Sequence, residues 1–190
     1  MKVLGINGSP KKEGNTYLSI KTVTDSLEKG GFESEIYHIG GKPIRGCVDC
    51  KKCQVNKDRR CVIDDHVNEL IEKAAAADVI IIGSPVYFSN MTPELKAFID
   101  RGGRVFRAND YLLKHKIGAS IAVARRSGKN TVISDINYLF LIQQMIVPGS
   151  TYWNGLIGEK PGDVLRDDEG MKNLKSLAEN ILWLASRIQS

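Results

Sequence analysis

Four cysteines pose the first question. Cys47, Cys50, Cys53 and Cys61 are the only cysteines of the chain, spaced C-x2-C-x2-C-x7-C. Two overlapping C-x2-C units can wrap three thiolates round one face of a cubane cluster, with a more distant fourth to close it. Structural zinc sites more often pair two separate C-x2-C knuckles into a tetrahedron. The spacing therefore suits an iron–sulfur cluster better than a single ion, with a zinc loop, a vestigial site and free thiols as the alternatives. The same stretch is basic. Arg45, Lys51, Lys52, Lys57, Arg59 and Arg60 are opposed only by Asp49 and Asp58, a net +4 in a chain whose whole formal charge is +5. A charge so confined is not a nucleic-acid footprint. It reads as the setting of an anionic cluster and as a docking surface for an acidic partner.

Two further stretches carry chemistry. Gly8-Ser9-Pro10-Lys11-Lys12-Glu13-Gly14-Asn15-Thr16 follows a short apolar run. It lacks the Gly-Lys-Ser/Thr of a Walker A loop and the G-x-G-x-x-G of a dinucleotide fingerprint. It does offer hydroxyls at Ser9 and Thr16, a cation at Lys11 and backbone N–H groups at a helix start. Side-chain donors in place of glycines favour a phosphate monoester such as that of FMN, against the plainer reading of a helix-capping turn. Ser84-Pro85-Val86-Tyr87-Phe88-Ser89-Asn90-Met91-Thr92-Pro93 places two aromatics after a run of Val and Ile. Such a loop can give a flavin ring its flat apolar walls and backbone donors, or can simply anchor a Tyr-Phe pair in the core. On neighbouring strands, the two loops support one another. The histidines, His38, His66 and His115, are scattered, and no G-x-S-x-G elbow supports serine hydrolysis.

These loops need a scaffold. The chain has 190 residues, 42% of them apolar, which is enough for one core, so a single domain over 1–190 is expected. No apolar run approaches the roughly 20 residues that span a bilayer, so no membrane segment is expected. The start MKVLGINGSP is too short and Gly-punctuated for a signal peptide, and a cytoplasmic location is expected. Strands are predicted at 2–6, 32–39, 79–82 and 117–124, with a short edge strand at 146–147. Helices are predicted at 15–29, from 64 or 65 to 77, at 93–101, 131–145 and 169–188, with an irregular tail over 152–168. Trp183 and the Tyr152-Trp153 pair are expected to be packed inside. Alternation of this kind predicts an α/β, doubly wound, five-stranded parallel sheet with a cysteine-rich insertion loop, 40–64, after the second strand. Ligands of such sheets sit outside the carboxyl ends of the strands, which directs attention to the loops after strands one, three and four.

Gly8-Ser9-Pro10-x-x-x-Gly14-Asn15-Thr16, Ser84-Pro85-Val86-Tyr87 and Leu95-Lys96-Ala97-Phe98-Ile99-Asp100-Arg101 together resemble the flavodoxin-like NAD(P)H-dependent FMN reductase family. The cysteine block is similar to that of its iron–sulfur flavoprotein branch. With the tail Pro161-Gly162-Asp163-Val164-Leu165, the resemblance spans nearly the whole chain. It implies that Ser9, Lys11, Gly14, Asn15 and Thr16 hold the FMN phosphate, and that Pro85, Val86, Tyr87, Phe88 and Asn90 line the isoalloxazine. It implies a 4Fe–4S cluster on Cys47, Cys50, Cys53 and Cys61. Where relatives carry a longer Gly-rich third loop, this chain has Ala124-Arg125-Arg126-Ser127-Gly128, so a backbone contact near Arg125 and Arg126 is expected there.

The same resemblance implies a flavodoxin-like fold with electron transfer between cluster, FMN and a small acceptor such as oxygen, peroxide or a quinone. Ferredoxin or NAD(P)H is the implied donor. No catalytic side chain is expected, because flavin N5 does the chemistry. A homodimer or homotetramer, with the cluster of one subunit facing the flavin of another, completes the implied picture. The alternatives are an NAD(P)H-dependent FMN/quinone reductase with zinc or idle cysteines, and a non-enzymatic redox sensor or binding module.

Overall fold

The computed structural model describes residues 1–188, so the last two residues of the domain expected over 1–190 lie outside the described residues. Strands β1 (Lys2–Asn7), β2 (Glu33–His38), β3 (Val79–Pro85), β4 (Ile117–Ala124) and β5 (Gly155–Ile157) form one parallel sheet in the order β2-β1-β3-β4-β5. Helices α1 (Asn15–Lys29) and α6 (Asp168–Ile188) cover one face. Helices α3 (His66–Ala76), α4 (Pro93–Ala108) and α5 (Lys129–Ile142) cover the other. The two-residue period of a strand decides which residue serves which layer. Leu4, Ile6, Ile80 and Ile82 pack under α3, α4 and α5, while Val3, Val79 and Ile81 pack under α1 and α6. Both faces being covered, β3 can read Val-Ile-Ile-Ile without a polar residue. Strand order reverses between β1 and β3, so the loops leaving these two strands border the crevice where such sheets bind ligands.

The edge of the sheet corrects one expectation. Ile146 makes a single parallel bridge to Ile117, and the strand itself comes later, pairing Gly155–Ile157 with Ala122–Ala124. Pro148 has no N–H to give β4, so the chain leaves the edge there and rejoins it past residue 154. The predicted edge strand at 146–147 is thus only its first contact, and the tail is less irregular than its composition. Helix α4 also outruns its predicted end at residue 101. Gly102 does not stop it, because Phe98 and Phe106 close over that glycine, 3.1 and 3.2 Å from where a Cβ would stand. Trp183 is 61% exposed, on the face of α6 opposite Leu174, Leu177 and Ile181. Tyr152 and Trp153 are 56% and 54% exposed and pack edge-to-face on each other, not in the core. Among the described residues no helix is long and apolar enough to cross a membrane.

Candidate functional site

The loop after β1 is built round a buried asparagine that ends the strand. The Oδ1 of Asn7 accepts from the N–H of Ser9 at 3.0 Å, and its Nδ2 donates to the carbonyl of Lys12 at 3.0 Å. One side chain thereby spans the loop. The hydroxyl oxygen of Ser9 accepts from the N–H of Lys11 at 3.2 Å, and the N–H of Gly14 donates to the Lys11 carbonyl. Helix α1 then starts at Asn15, behind an N-cap, Gly14, that makes no side-chain cap, so its first-turn N–H groups could receive an anion. From behind, His38 Nε2 donates to the carbonyl of Ser9 at 2.7 Å. Gly40 lets the next segment in: a Cβ there would lie 2.2 Å from the Ser9 carbonyl oxygen. Thr16 is buried against Gly83. Asn15 faces another way. Its Nδ2 donates to the carbonyl of Lys160 and its Oδ1 accepts from the N–H of Gly162, both at 2.8 Å. The Asn15 side chain therefore ties down the tail and leaves only its main chain to face the loop after β1.

The loop after β3 lies beside it. The N–H of Gly8 donates to the Gly83 carbonyl at 2.9 Å, and the hydroxyl of Thr92 donates to the Gly8 carbonyl at 2.8 Å. Pro85 ends the strand, and the N–H of Val86 still donates to the Val123 carbonyl. Tyr87 and Asn90 then exchange two backbone hydrogen bonds across Phe88 and Ser89, whose φ angles are 48° and 60°. Two left-handed residues in succession make a tight reverse turn that glycine or asparagine would form more cheaply. The strain sets Phe88 fully in solvent, with Tyr87 half exposed beside it. The core-anchoring reading of this pair is thereby excluded. A backbone held in a rarely populated region at a ligand crevice is a mark of a functional loop.

The loop after β4 joins the group through Gly128. At φ 86° it is left-handed, and a Cβ there would stand 2.8 Å from Val86 Cγ1 and 3.1 Å from Ser89 Cα. Arg125 and Arg126 are exposed on the rim, Arg125 Nε lying 3.3 Å from the Glu159 carboxylate. The N–H of Gly158 donates to the Ala124 carbonyl. Ser9, Lys11, Gly14, Asn15 and Thr16 thus share one loop, Pro85 to Asn90 the next, and Arg125 and Arg126 the rim beyond.

The cysteine segment forms a separate chamber against α3 and α4. It contains a short helix, α2 (Lys52–Asn56), which periodicity does not reveal. Lys51 and Lys57 bracket that helix in left-handed conformation, and Asp49 and Arg59 share it, so four non-glycine residues bend the loop round its contents. Cys47, Cys50, Cys53 and Cys61 are free thiols that all line one small cavity with Val62, Arg101 and Arg104. The N–H of Asp49 donates to Cys47 Sγ at 3.4 Å, the kind of bond that stabilises a sulfur ligand. Burial pushes the Cys53 thiol up, and the neighbouring Cys50, Cys61 and Cys47 push it further. Among the described residues no three His, Cys, Asp or Glu side chains close on a single-ion site. Four cysteine thiols lining one cavity are the donor type that a 4Fe–4S cluster takes.

Several of the residues that hold this chamber are not cysteines. Asn68, buried on α3, accepts from the N–H of Cys61 at 2.8 Å and donates to the carbonyls of Cys61 and Ile63. Asn109 accepts from the N–H of Arg59 at 3.1 Å, and Arg104 contacts the Asp49 carboxylate. Asp65 caps α3 by accepting from the N–H of Val67, as its place before the helix predicts. Asn7, His38, Asn68, Thr92 and Asn109 escape a reading of the sequence. Only the Asn7-Gly8 pair leaves a local signal there, that of a turn.

Comparisons with known proteins identify the family. Residues 1–157 match the family described as NADPH-dependent FMN reductase. An iron-sulfur flavoprotein of Methanocaldococcus jannaschii is 36% identical over 196 residues, covering all of both chains. An iron-sulfur flavoprotein of Methanosarcina thermophila is 35% identical over 191 residues, covering 100% of this chain and 97% of that one. Among solved structures, a flavodoxin from the domain Archaea superposes with a TM-score of 0.63 at 18% identity, over 98% of this chain and 99% of that one. At that identity the likeness speaks for the fold alone. The chain belongs to the flavodoxin-like NADPH-dependent FMN reductase family, in its iron–sulfur flavoprotein branch, and is an FMN-dependent oxidoreductase.

Proposed function

We propose that the protein transfers electrons between a 4Fe–4S cluster on Cys47, Cys50, Cys53 and Cys61, FMN, and a small acceptor such as oxygen, peroxide or a quinone. The observation that carries this reading is the chamber of four free thiols against the same helix, α4, that starts at the flavin loop. When bound, the two groups supply complementary chemistry, the cluster handling single electrons and the flavin exchanging them for pairs. The protein's part is binding and access. Ser9, Lys11, Gly14 and Thr16, with the main chain of Asn15, neutralise and orient the phosphate at the start of α1. Pro85, Val86, Tyr87, Phe88 and Asn90 offer the ring an apolar wall and main-chain groups, and the main chain at Arg125 and Arg126 closes the far side. No side chain need donate or take a proton, since flavin N5 is the reacting atom.

The basic cysteine loop serves as the docking face for an acidic donor, a ferredoxin, and the chain works in the cytoplasm as a homodimer or homotetramer. A second reading is favoured by the family match itself: NADPH reduces the flavin directly and a quinone accepts, with the cysteines holding zinc or nothing. Anaerobic titration separates the two. Reduced ferredoxin is expected to bleach the flavin absorbance rapidly, with a rate that falls as salt rises. Bleaching by NADPH, with no response to ferredoxin, would replace the first reading by the second.

A further inference from the structure

One buried cation remains without a part in this scheme. Arg101, on α4, has a fully buried side chain. Its Nη1 donates to Asp65 Oδ2 at 2.6 Å and to the Arg45 carbonyl at 3.3 Å. Its Nη2 donates to Asp65 Oδ1 at 2.9 Å and to the Ile63 carbonyl at 2.8 Å. Arg45 precedes Cys47 by two residues and Ile63 follows Cys61 by two. One guanidinium therefore clasps both ends of the segment that carries every thiol. Its Nε, also buried, has no hydrogen-bond partner. Buried donors are rarely left unpaired, and an orphan at a functional chamber calls for an explanation. The chamber supplies one. Arg101 lines it together with Cys47, Cys50, Cys53 and Cys61.

We propose that Arg101 is the positioning residue of the cluster site: it holds the cysteine loop closed through Arg45 and Ile63, and its unpaired Nε–H serves sulfur in the cavity it lines with the four cysteines once the cluster is in place. The inference rests on the cluster reading above. Asp65 fixes the fork, and a bidentate fork is what lysine lacks, so the role requires arginine and not merely a cation. Fixed positive charge and an N–H at cluster sulfur favour the reduced, more negative state, so Arg101 raises the cluster's reduction potential. Among the described residues the clasp's hydrogen bonds go to Arg45, Ile63 and Asp65, none of which lies in the loops after β1, β3 or β4.

The test compares anaerobically purified holoenzyme of the wild type, Arg101→Lys and Asp65→Asn. Iron and sulfide are measured per FMN, and cluster and flavin potentials by spectroscopically monitored redox titration. Arg101→Lys is expected to lower iron per FMN at least twofold and to shift the potential of the remaining cluster negative, with the flavin potential unmoved. A role in folding alone would lower iron content without shifting that potential. If Arg101→Lys does not fold, Asp65→Asn carries the test, because it frees the fork and keeps the guanidinium; iron per FMN is again expected to fall at least twofold. Wild-type iron content with an unshifted cluster potential in the folded variant would overturn the role of Arg101 alone. A wild type without iron and sulfide would overturn the cluster reading, and this inference with it.

Discussion

The side-chain amide of Asn68 brackets Cys61, accepting from its N–H at 2.8 Å and donating to its carbonyl at 2.9 Å. The most distant of the four cysteines in sequence is thus fixed by a buried amide on the neighbouring helix and not by the loop's own turns. Asn68→Ala leaves the Cys61 N–H and two carbonyls without that partner, at a cost of about 2–4 kcal/mol in stability. Thermal unfolding of the variant is expected to move several degrees lower, with iron content falling and FMN retained. An unchanged unfolding midpoint would contradict the bracket's role.

Cys61→Ser tests the ligand directly. Serine keeps the shape and the backbone bonds to Asn68, so the fold is expected to survive while iron and sulfide are lost. FMN content, read from the flavin absorbance, is expected to stay at the wild-type level. Retention of a full cluster would remove Cys61 from the ligand set.

The phosphate role proposed for the loop after β1 makes a prediction that separates phosphate from ring. Ser9→Ala removes a hydroxyl from the loop that leads into α1 and the acceptor of the Lys11 N–H. Loss of a hydrogen bond to a charged group weakens binding by roughly 1.5–3 kcal/mol, or about 10- to 100-fold. Fluorescence titration is expected to show that loss for FMN and little change for riboflavin, which has no phosphate. Equal losses for both would place the phosphate elsewhere.

Phe88 sits at φ 48° with its side chain in solvent, so its present conformation is held against its own backbone preference. Phe88→Gly relieves a left-handed strain of roughly 1 kcal/mol and removes an aromatic wall. The apoprotein is expected to be slightly more stable and the variant to bind FMN more weakly. Chemical denaturation and flavin titration on one preparation check both signs.

Acid weakens the clasp by a defined route. Burial pushes the Asp65 carboxyl up, but the guanidinium of Arg101 and the N–H of Val67 outweigh it and hold the group below its ordinary 3.8. A carboxylate with a lowered folded value contributes stability in full above its unfolded value, and loses it as pH falls through the folded one. The urea midpoint is therefore expected to fall as pH drops below about 5, with a smaller fall in Asp65→Asn. Parallel slopes would show that this pair does not contribute.

Much of this was legible in the sequence, for physical reasons that also explain the rest. Val79 to Ile82 and Ile117 to Ala124 announce central strands because both faces of the sheet are covered, and Asp65 announces a cap. Gly102 misleads, since a glycine that normally ends a helix is here the space into which Phe98 and Phe106 pack. Pro148 hides the true edge strand by displacing it to Gly155. The cysteine spacing singles out the thiols that share one cavity, but Asn68, Asn109 and Arg101 act from other elements, and no local pattern carries that information. His38 shows the same limit: dismissed as one of three scattered histidines, it supports the carbonyl of Ser9.

Iron and acid-labile sulfide analysis of anaerobically purified protein bears most directly on the whole account. The expected sample is brown, with about four iron and about four sulfide per chain and about one FMN. A yellow sample holding flavin alone, or flavin with zinc, would contradict it.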